Sequence, residues 1–197
     1  MNHNLLSKAT LFVKKYLLTK LPRHMYFHNY QHTLMVADSV KIIAKEISLN
    51  RDETFIITLS ALFHDIGYVF QYLGHEEAST DIASHFLLKN GLSSFMIEAV
   101  QGCILATKMP QGPKNEMEMA ICDSDLYHFS LPDYQHHALL LRREWQAHRK
   151  LYFSESDWNS INLEVLQSHA YHTTFGKDVL QKRKEGNINF LQELLKG

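Results

Sequence analysis

An all-α fold follows from three features of the sequence. Every stretch with periodic hydrophobicity repeats at helical spacing, and none shows the apolar-polar alternation of a half-buried strand. One run, Phe55 to Phe63, carries Phe, Ile, Leu and Ala on nearly all sides, the pattern of a helix surrounded by other helices. The length, 197 residues, suffices for one substantial core but not comfortably for two. Together these predict a single helical domain over residues 1–197, with no internal repeat, linker or low-complexity tract.

Residues 5 to 20 place Leu5, Ala9, Phe12, Val13, Tyr16 and Leu17 on one face with lysines opposite, and Leu21-Pro22 closes this first helix. The second runs through Val36, Val40, Ile43 and Ile47. Steps of four back from Val36 reach His32 and then His28, so a helix that begins early enough turns both imidazoles inward. Asn50 or Asp52 caps the apolar run, which ends in Ala61-Leu62-Phe63-His64-Asp65-Ile66-Gly67. Gly67 is expected to stop this helix in the left-handed conformation, leaving His64 and Asp65 in the last turn and facing a cleft. Burying a carboxylate there is costly unless an ion pair or a metal compensates its charge, and the adjacent imidazole favours a metal. The competing reading is a His-Asp hydrogen bond of purely structural use.

Gly74-His75-Glu76-Glu77 begins a fourth helix with acids in the first turn, where the helix dipole favours them. That role competes with catalysis for Glu76 and Glu77, and His75 falls where it can approach a metal. Asn90-Gly91 ends the helix. Ser93 or Ser94 caps the next, whose stripe is Ile97, Val100, Ile104 and Thr107, before Lys108 and a Pro110-Gly112-Pro113 loop. From Asn115 a helix carries Met117, Ile121, Asp125 and His128 on one side, with Asp123 turned towards the Met119 and Leu126 side. Ser130, Pro132 and Asp133 open a helix through Leu139, Leu140, Leu141 and Trp145. The tail offers a stripe of Trp158, Ile161, Val165, His169 and His172, whose histidines read better as interfacial core than as cleft residues. A short packing helix follows over Ile188, Phe190, Leu191, Leu194 and Leu195.

Composition narrows the function. Twenty basic residues against 21 acidic ones give a net charge of −1, which makes no electrostatic case for nucleic acid or an anionic membrane. No run approaches the roughly 20 apolar residues of a membrane span, and Lys8, Lys14 and Lys15 interrupt the amino-terminal apolar residues, unlike a signal peptide. Cys103 and Cys122 fall within apolar helical patterns and read as buried free thiols of a reducing compartment, so the expectation is a cytoplasmic protein.

His32, His64-Asp65 and Asp123 or Asp125, all expected to face inward from three helices, resemble the ordered pattern of the HD superfamily of metal-dependent phosphohydrolases. The resemblance spans roughly residues 26 to 130, with 131–197 as a carboxy-terminal helical extension. It implies an all-helical HD-domain bundle and a divalent cation held by His32, His64, Asp65 and the later aspartate. Ser124-Asp125-Leu126 is closer to the superfamily's small-Asp-x-apolar segment than Cys122-Asp123-Ser124, so Asp125 is preferred and Asp123 is its substitute. Phe27-His28-Asn29-Tyr30-Gln31-His32-Thr33 and His75-Glu76-Glu77-Ala78-Ser79 resemble signatures of the bacterial predicted-phosphohydrolase branch. The first also resembles the opening motif of class I cyclic nucleotide phosphodiesterases, which implies that His28 donates a proton to the leaving oxygen. The chain departs from that pattern, because no second His-Asp motif follows and Thr107 stands where some branches carry a histidine.

A mixed imidazole and carboxylate set suits Mn²⁺, Fe²⁺, Zn²⁺, Co²⁺ or Mg²⁺ without choosing among them. The candidate catalytic residues are Asp65, His28 and Glu76, and Lys108 is a weaker candidate for phosphate. The expected substrate is a small phosphorylated compound, a nucleotide foremost. The rivals are an HD-fold module that senses a nucleotide or binds a partner, and a metal-free helical scaffold.

Overall fold

The structure, a computed structural model, describes residues 2–196 and is helical throughout, with no strand among the described residues. Nine α-helices follow one another there: α1 (Asn2–Lys20), α2 (Tyr30–Glu46), α3 (Arg51–Phe63), α4 (His75–Lys89), α5 (Ser94–Ala106), α6 (Glu116–Asp125), α7 (Tyr134–Arg149), α8 (Glu155–Ser168) and α9 (Gln181–Leu194). Short 3₁₀ turns over Ile66–Val69 and Tyr127–Ser130, and a π-helical turn over Gly176–Leu180, join three of them.

Helix α3 lies at the centre, as its all-round hydrophobicity predicts: every residue from Phe55 to Phe63 is buried, and α1, α2, α4, α5 and α6 pack against it. Asn50 starts it through a capping box, accepting from the amides of Asp52 and Glu53 while Glu53 accepts from the Asn50 amide at 2.8 Å. One connected cluster of buried apolar side chains extends from Ala9 to Leu191, so the carboxy-terminal helices share the core of the rest. Cys103 and Cys122 are free and buried, and no helix of the described residues is long and apolar enough to cross a membrane.

Four local expectations need correction. Helix α2 begins at Tyr30, because the Asn29 side chain caps it by accepting from the amides of Gln31 (2.8 Å) and His32 (3.3 Å), so His28 precedes the helix and is not on its stripe. Gly67 is not left-handed, since Gly74 and Gly91 are the glycines at positive φ. Its function is close approach. A Cβ there would fall 2.0 Å from the His75 carbonyl oxygen, and its amide donates to Ser79 Oγ at 2.9 Å, so the turn after His64-Asp65 is pressed onto the first turn of α4. Helix α7 starts at Tyr134, after the 3₁₀ turn, rather than near Ser130. Finally α8 stops at Ser168, which puts His169 and His172 in the connection to α9, and α9 itself begins at Gln181, before the apolar residues that announced it.

Candidate metal centre

Four side chains that the sequence singled out converge from separate elements. His32 comes from the first turn of α2, His64 and Asp65 from the end of α3, and Asp125 from the last position of α6. His32 Nε2 lies 3.1 Å from Asp125 Oδ1 and 3.4 Å from Asp65 Oδ2. His64 Nε2 lies 3.2 Å from Asp65 Oδ2, 3.4 Å from Asp125 Oδ1 and 3.4 Å from His32 Nε2. The facing atoms of His32, His64 and Asp125 are all within 4.8 Å of one another.

Proton placement makes this a donor set rather than a hydrogen-bond network. The His64 Nδ1–H donates to the Ala61 carbonyl at 2.9 Å, because that oxygen can only accept, which turns Nε2 to the cluster, where it can give its lone pair to a cation that displaces its proton. His75 and His128 repeat the device three residues after their own acceptors, donating to the carbonyls of Tyr72 (3.1 Å) and Asp125 (3.2 Å). Asp65 Oδ2 and His32 Nδ1 are buried with no hydrogen-bond partner in the protein, a costly arrangement in an apolar surrounding. A cation among these atoms removes that cost, and two imidazoles with two carboxylates are a chemically suitable set for a divalent transition metal or magnesium. Burial alone would drive Asp65 and Asp125 towards protonation, but the neighbouring imidazoles outweigh it and hold both carboxyls well below the usual range. Burial likewise opposes charge on His64, and the two carboxylates overcome it and raise its pKa.

Asp123, the substitute ligand, is not at this centre. Its carboxylate accepts from the amides of His172 (2.7 Å) and Thr173 (2.9 Å) and from the Thr173 hydroxyl (2.6 Å), so it anchors the segment before the π-helical turn to α6. Two residues along a helix separate the faces enough for Asp125 to point to the histidines while Asp123 points to the tail. His169 also belongs to that packing, stacking edge-on against Phe129 and Tyr171 and giving its carbonyl to the buried Lys184.

A cleft of about 460 Å³ opens beside the cluster, and Asp65, Asp125, His28, His75 and Glu76 line it. His75 Nε2 approaches Asp65 Oδ1 at 3.4 Å, and its ring stacks on Tyr68 at 3.7 Å between centroids. Glu76 is buried, with Oε2 unpartnered and 3.6 Å from His75 Nδ1. Lys108 lies on the lining with its ammonium held by Glu77, and Thr107 is beside it with its hydroxyl turned to the Ile104 carbonyl.

Sequence reasoning missed Glu144. Fully buried on α7, it accepts from His28 Nδ1 at 2.5 Å, from the amides of Phe27 (2.8 Å) and His28 (3.0 Å), and from the Tyr72 hydroxyl (3.1 Å). Burial would lower the His28 pKa, yet the Glu144 carboxylate outweighs it and raises it, favouring the charged imidazole beside the cleft. The available signal was one acid at helical spacing from Leu141, among residues that otherwise read as a packing stripe.

Residues 29–158 match the HD domain family. No curated protein sequence matches the chain. Among solved structures, the fold is similar to that of the Lin1889 protein from Listeria innocua, with a TM-score of 0.68 at 15% identity, over 98% of this chain and 95% of that one. At that identity the likeness concerns the fold alone. The family match covers well over half of the sequence and encloses all four converging side chains, so the chain belongs to the HD domain family, whose members are generally metal-dependent hydrolases.

Proposed function

We propose that the protein is a divalent-metal-dependent phosphohydrolase acting on a small phosphorylated compound, a nucleotide foremost. The observation that carries the proposal is the convergence of His32, His64, Asp65 and Asp125 on one point, with the His28 imidazole held by the buried Glu144 carboxylate on the lining of the same cleft. A divalent cation held by those four residues would make a water more acidic and draw charge from a phosphoryl oxygen.

The protein's own groups account for the remaining steps. Asp65, with Oδ2 towards the histidines and Oδ1 towards His75, can orient a water in line with the phosphorus and accept its proton. Glu76 offers a second acceptor in the same wall. As the water oxygen bonds to phosphorus and the ester P–O bond breaks, the leaving oxygen takes a proton from His28. Glu144 holds His28 through Nδ1, leaving Nε2 as the transferable N–H, and such a positioned acid typically contributes about 10²–10⁴-fold in rate. No serine or cysteine nucleophile is required, and both cysteines are buried with raised pKa values, Cys103 up to about 12.

The test is phosphate release by the full chain from a panel of nucleotides and phosphate esters with Mn²⁺, compared with Asp65→Ala. Turnover by the parent alone supports the reading. Nucleotide binding by the folded parent without turnover of anything would replace it with a sensing function.

A further inference from the structure

The cleft has two walls of different chemistry, and only the ionic one enters the reaction above. Beside His28, Asp65 and Asp125 the lining also carries Phe129, Leu141, Trp145 and Val165, three of them from α7 and α8. Trp145 is fixed edge-on against Trp158 with centroids 5.6 Å apart, and Tyr72, also on the lining, donates to the Glu144 carboxylate at 3.1 Å. The lysine and arginine on the lining, Lys108 and Arg149, are both engaged: Glu77 holds the Lys108 ammonium, and the Arg149 guanidinium lies over the Trp145 ring, 5.7 Å from its centroid. Three carboxylates, Asp65, Glu76 and Asp125, share the lining with them.

We infer that this cleft selects a phosphomonoester, one phosphate on a flat and largely apolar leaving group such as a nucleoside, and that Trp145 and Val165 are its specificity-determining residues. The inference rests on the phosphohydrolase reading and narrows it. A single phosphate is met by the ionic wall. A second or third phosphate, or the second ester arm of a cyclic nucleotide, would be pushed against hydrocarbon or carboxylate, where an anion loses hydration without gaining a partner. A base or other flat ring placed there covers the apolar wall and stacks on the indole. Arg149, already over that indole, is poised at the open edge of the stack.

The experiment compares phosphate release by the full chain with Mn²⁺ from a nucleoside 5′-monophosphate, its triphosphate, its 3′,5′-cyclic form and glycerol phosphate. The inference expects kcat/KM for the monophosphate at least tenfold above the triphosphate and the cyclic diester. Triphosphate or cyclic diester used equally well or better overturns it. Trp145→Ala should raise KM about tenfold for the nucleoside monophosphate, with kcat within threefold, and leave glycerol phosphate unchanged. Because Trp145 also packs against Trp158, Val165→Trp on the partly exposed face of α8 is the second variant. By narrowing the slot it should raise KM for the nucleoside monophosphate alone, and equal effects on both esters overturn the assignment. If nothing is hydrolysed, the phosphohydrolase reading fails by itself. Calorimetric binding of the unphosphorylated nucleoside to metal-free protein then decides the apolar wall: binding weakened about tenfold by Val165→Trp upholds it, and binding untouched by that variant refutes it.

Discussion

Two aspartates on the same helix, one residue apart, show what separates a structural group from a chemical one in this molecule. Asp123 and Asp125 both lie in α6, and both approach other elements through the core. The oxygens of Asp123 are met by three donors from His172 and Thr173, so its burial is balanced within the protein and it holds the carboxy-terminal segment in place. Asp125 instead faces the two imidazoles of His32 and His64, beside an Asp65 oxygen that has no hydrogen-bond partner. A satisfied acid contributes to stability. A cluster of imidazoles and carboxylates that leaves buried Asp65 Oδ2 and His32 Nδ1 without hydrogen-bond partners is suited to completion by a cation, and the difference predicts different responses to mutation at the two aspartates.

The most severe change should come at the unsatisfied site: Asp125→Asn, like Asp65→Ala, is expected to reduce phosphate release to the uncatalysed background. In chelator the Asp125→Asn protein should melt somewhat below the parent, because the pairing with His32 and His64 that holds the carboxyl's pKa down is lost, but by less than Asp123→Ala; a loss as large as that would place Asp125 with the structural acids. Next, Glu144→Gln should lower kcat about 10²-fold. It should also shift the pH profile in a definite direction. Glu144 holds the His28 pKa above its ordinary value, and the protonated form is the acid, so activity is lost as pH rises through that pKa. Without the carboxylate the basic limb moves to lower pH, and a limb that stays in place would remove His28 from the proton step. At the satisfied site, Asp123→Ala strands two buried amides and a hydroxyl, and denaturant melts should show a loss of about 3–4 kcal/mol. For a chain of this size that is roughly 10 °C in Tm, with metal affinity unchanged. The smallest effect sharpens the contrast by ligand alone: Mn²⁺ at 100 times its Kd should stabilise the parent by about 2.7 kcal/mol, and Asp123→Ala by a similar increment, but Asp125→Asn hardly at all.

Much of this was legible in the sequence, and the residues show why. The helical period, a cap at Asn50 or Asp52 and the unbroken apolar run of α3 are local signals, and the structure keeps all three, with Asn50 as the cap. His32, His64, Asp65 and Asp125 stood out as ionisable residues on apolar stripes, but it was the resemblance to the HD pattern that made them one ligand set and put Asp125 before Asp123. His28 was singled out on two grounds, a resemblance of its motif and a place on the α2 stripe, and the structure does not uphold the second, since Asn29 starts α2 after it and the histidine is held by Glu144 instead. Gly67 was singled out correctly but explained wrongly: what it needs is room for the His75 carbonyl, not a left-handed backbone.

The sequence by itself determined that the chain is helical and in what order its main helices come, because period, capping and hydrophobicity act over a turn or two of chain. Which partner each buried polar residue meets was decided only in the tertiary structure. Asp123 finds Thr173 fifty positions away and His28 finds Glu144 at a separation of 116, contacts that no spacing along one helix encodes. The apolar lining from α7 and α8 is of the same kind, for its side chains read as ordinary packing residues until folding sets them on the same cleft as the metal centre.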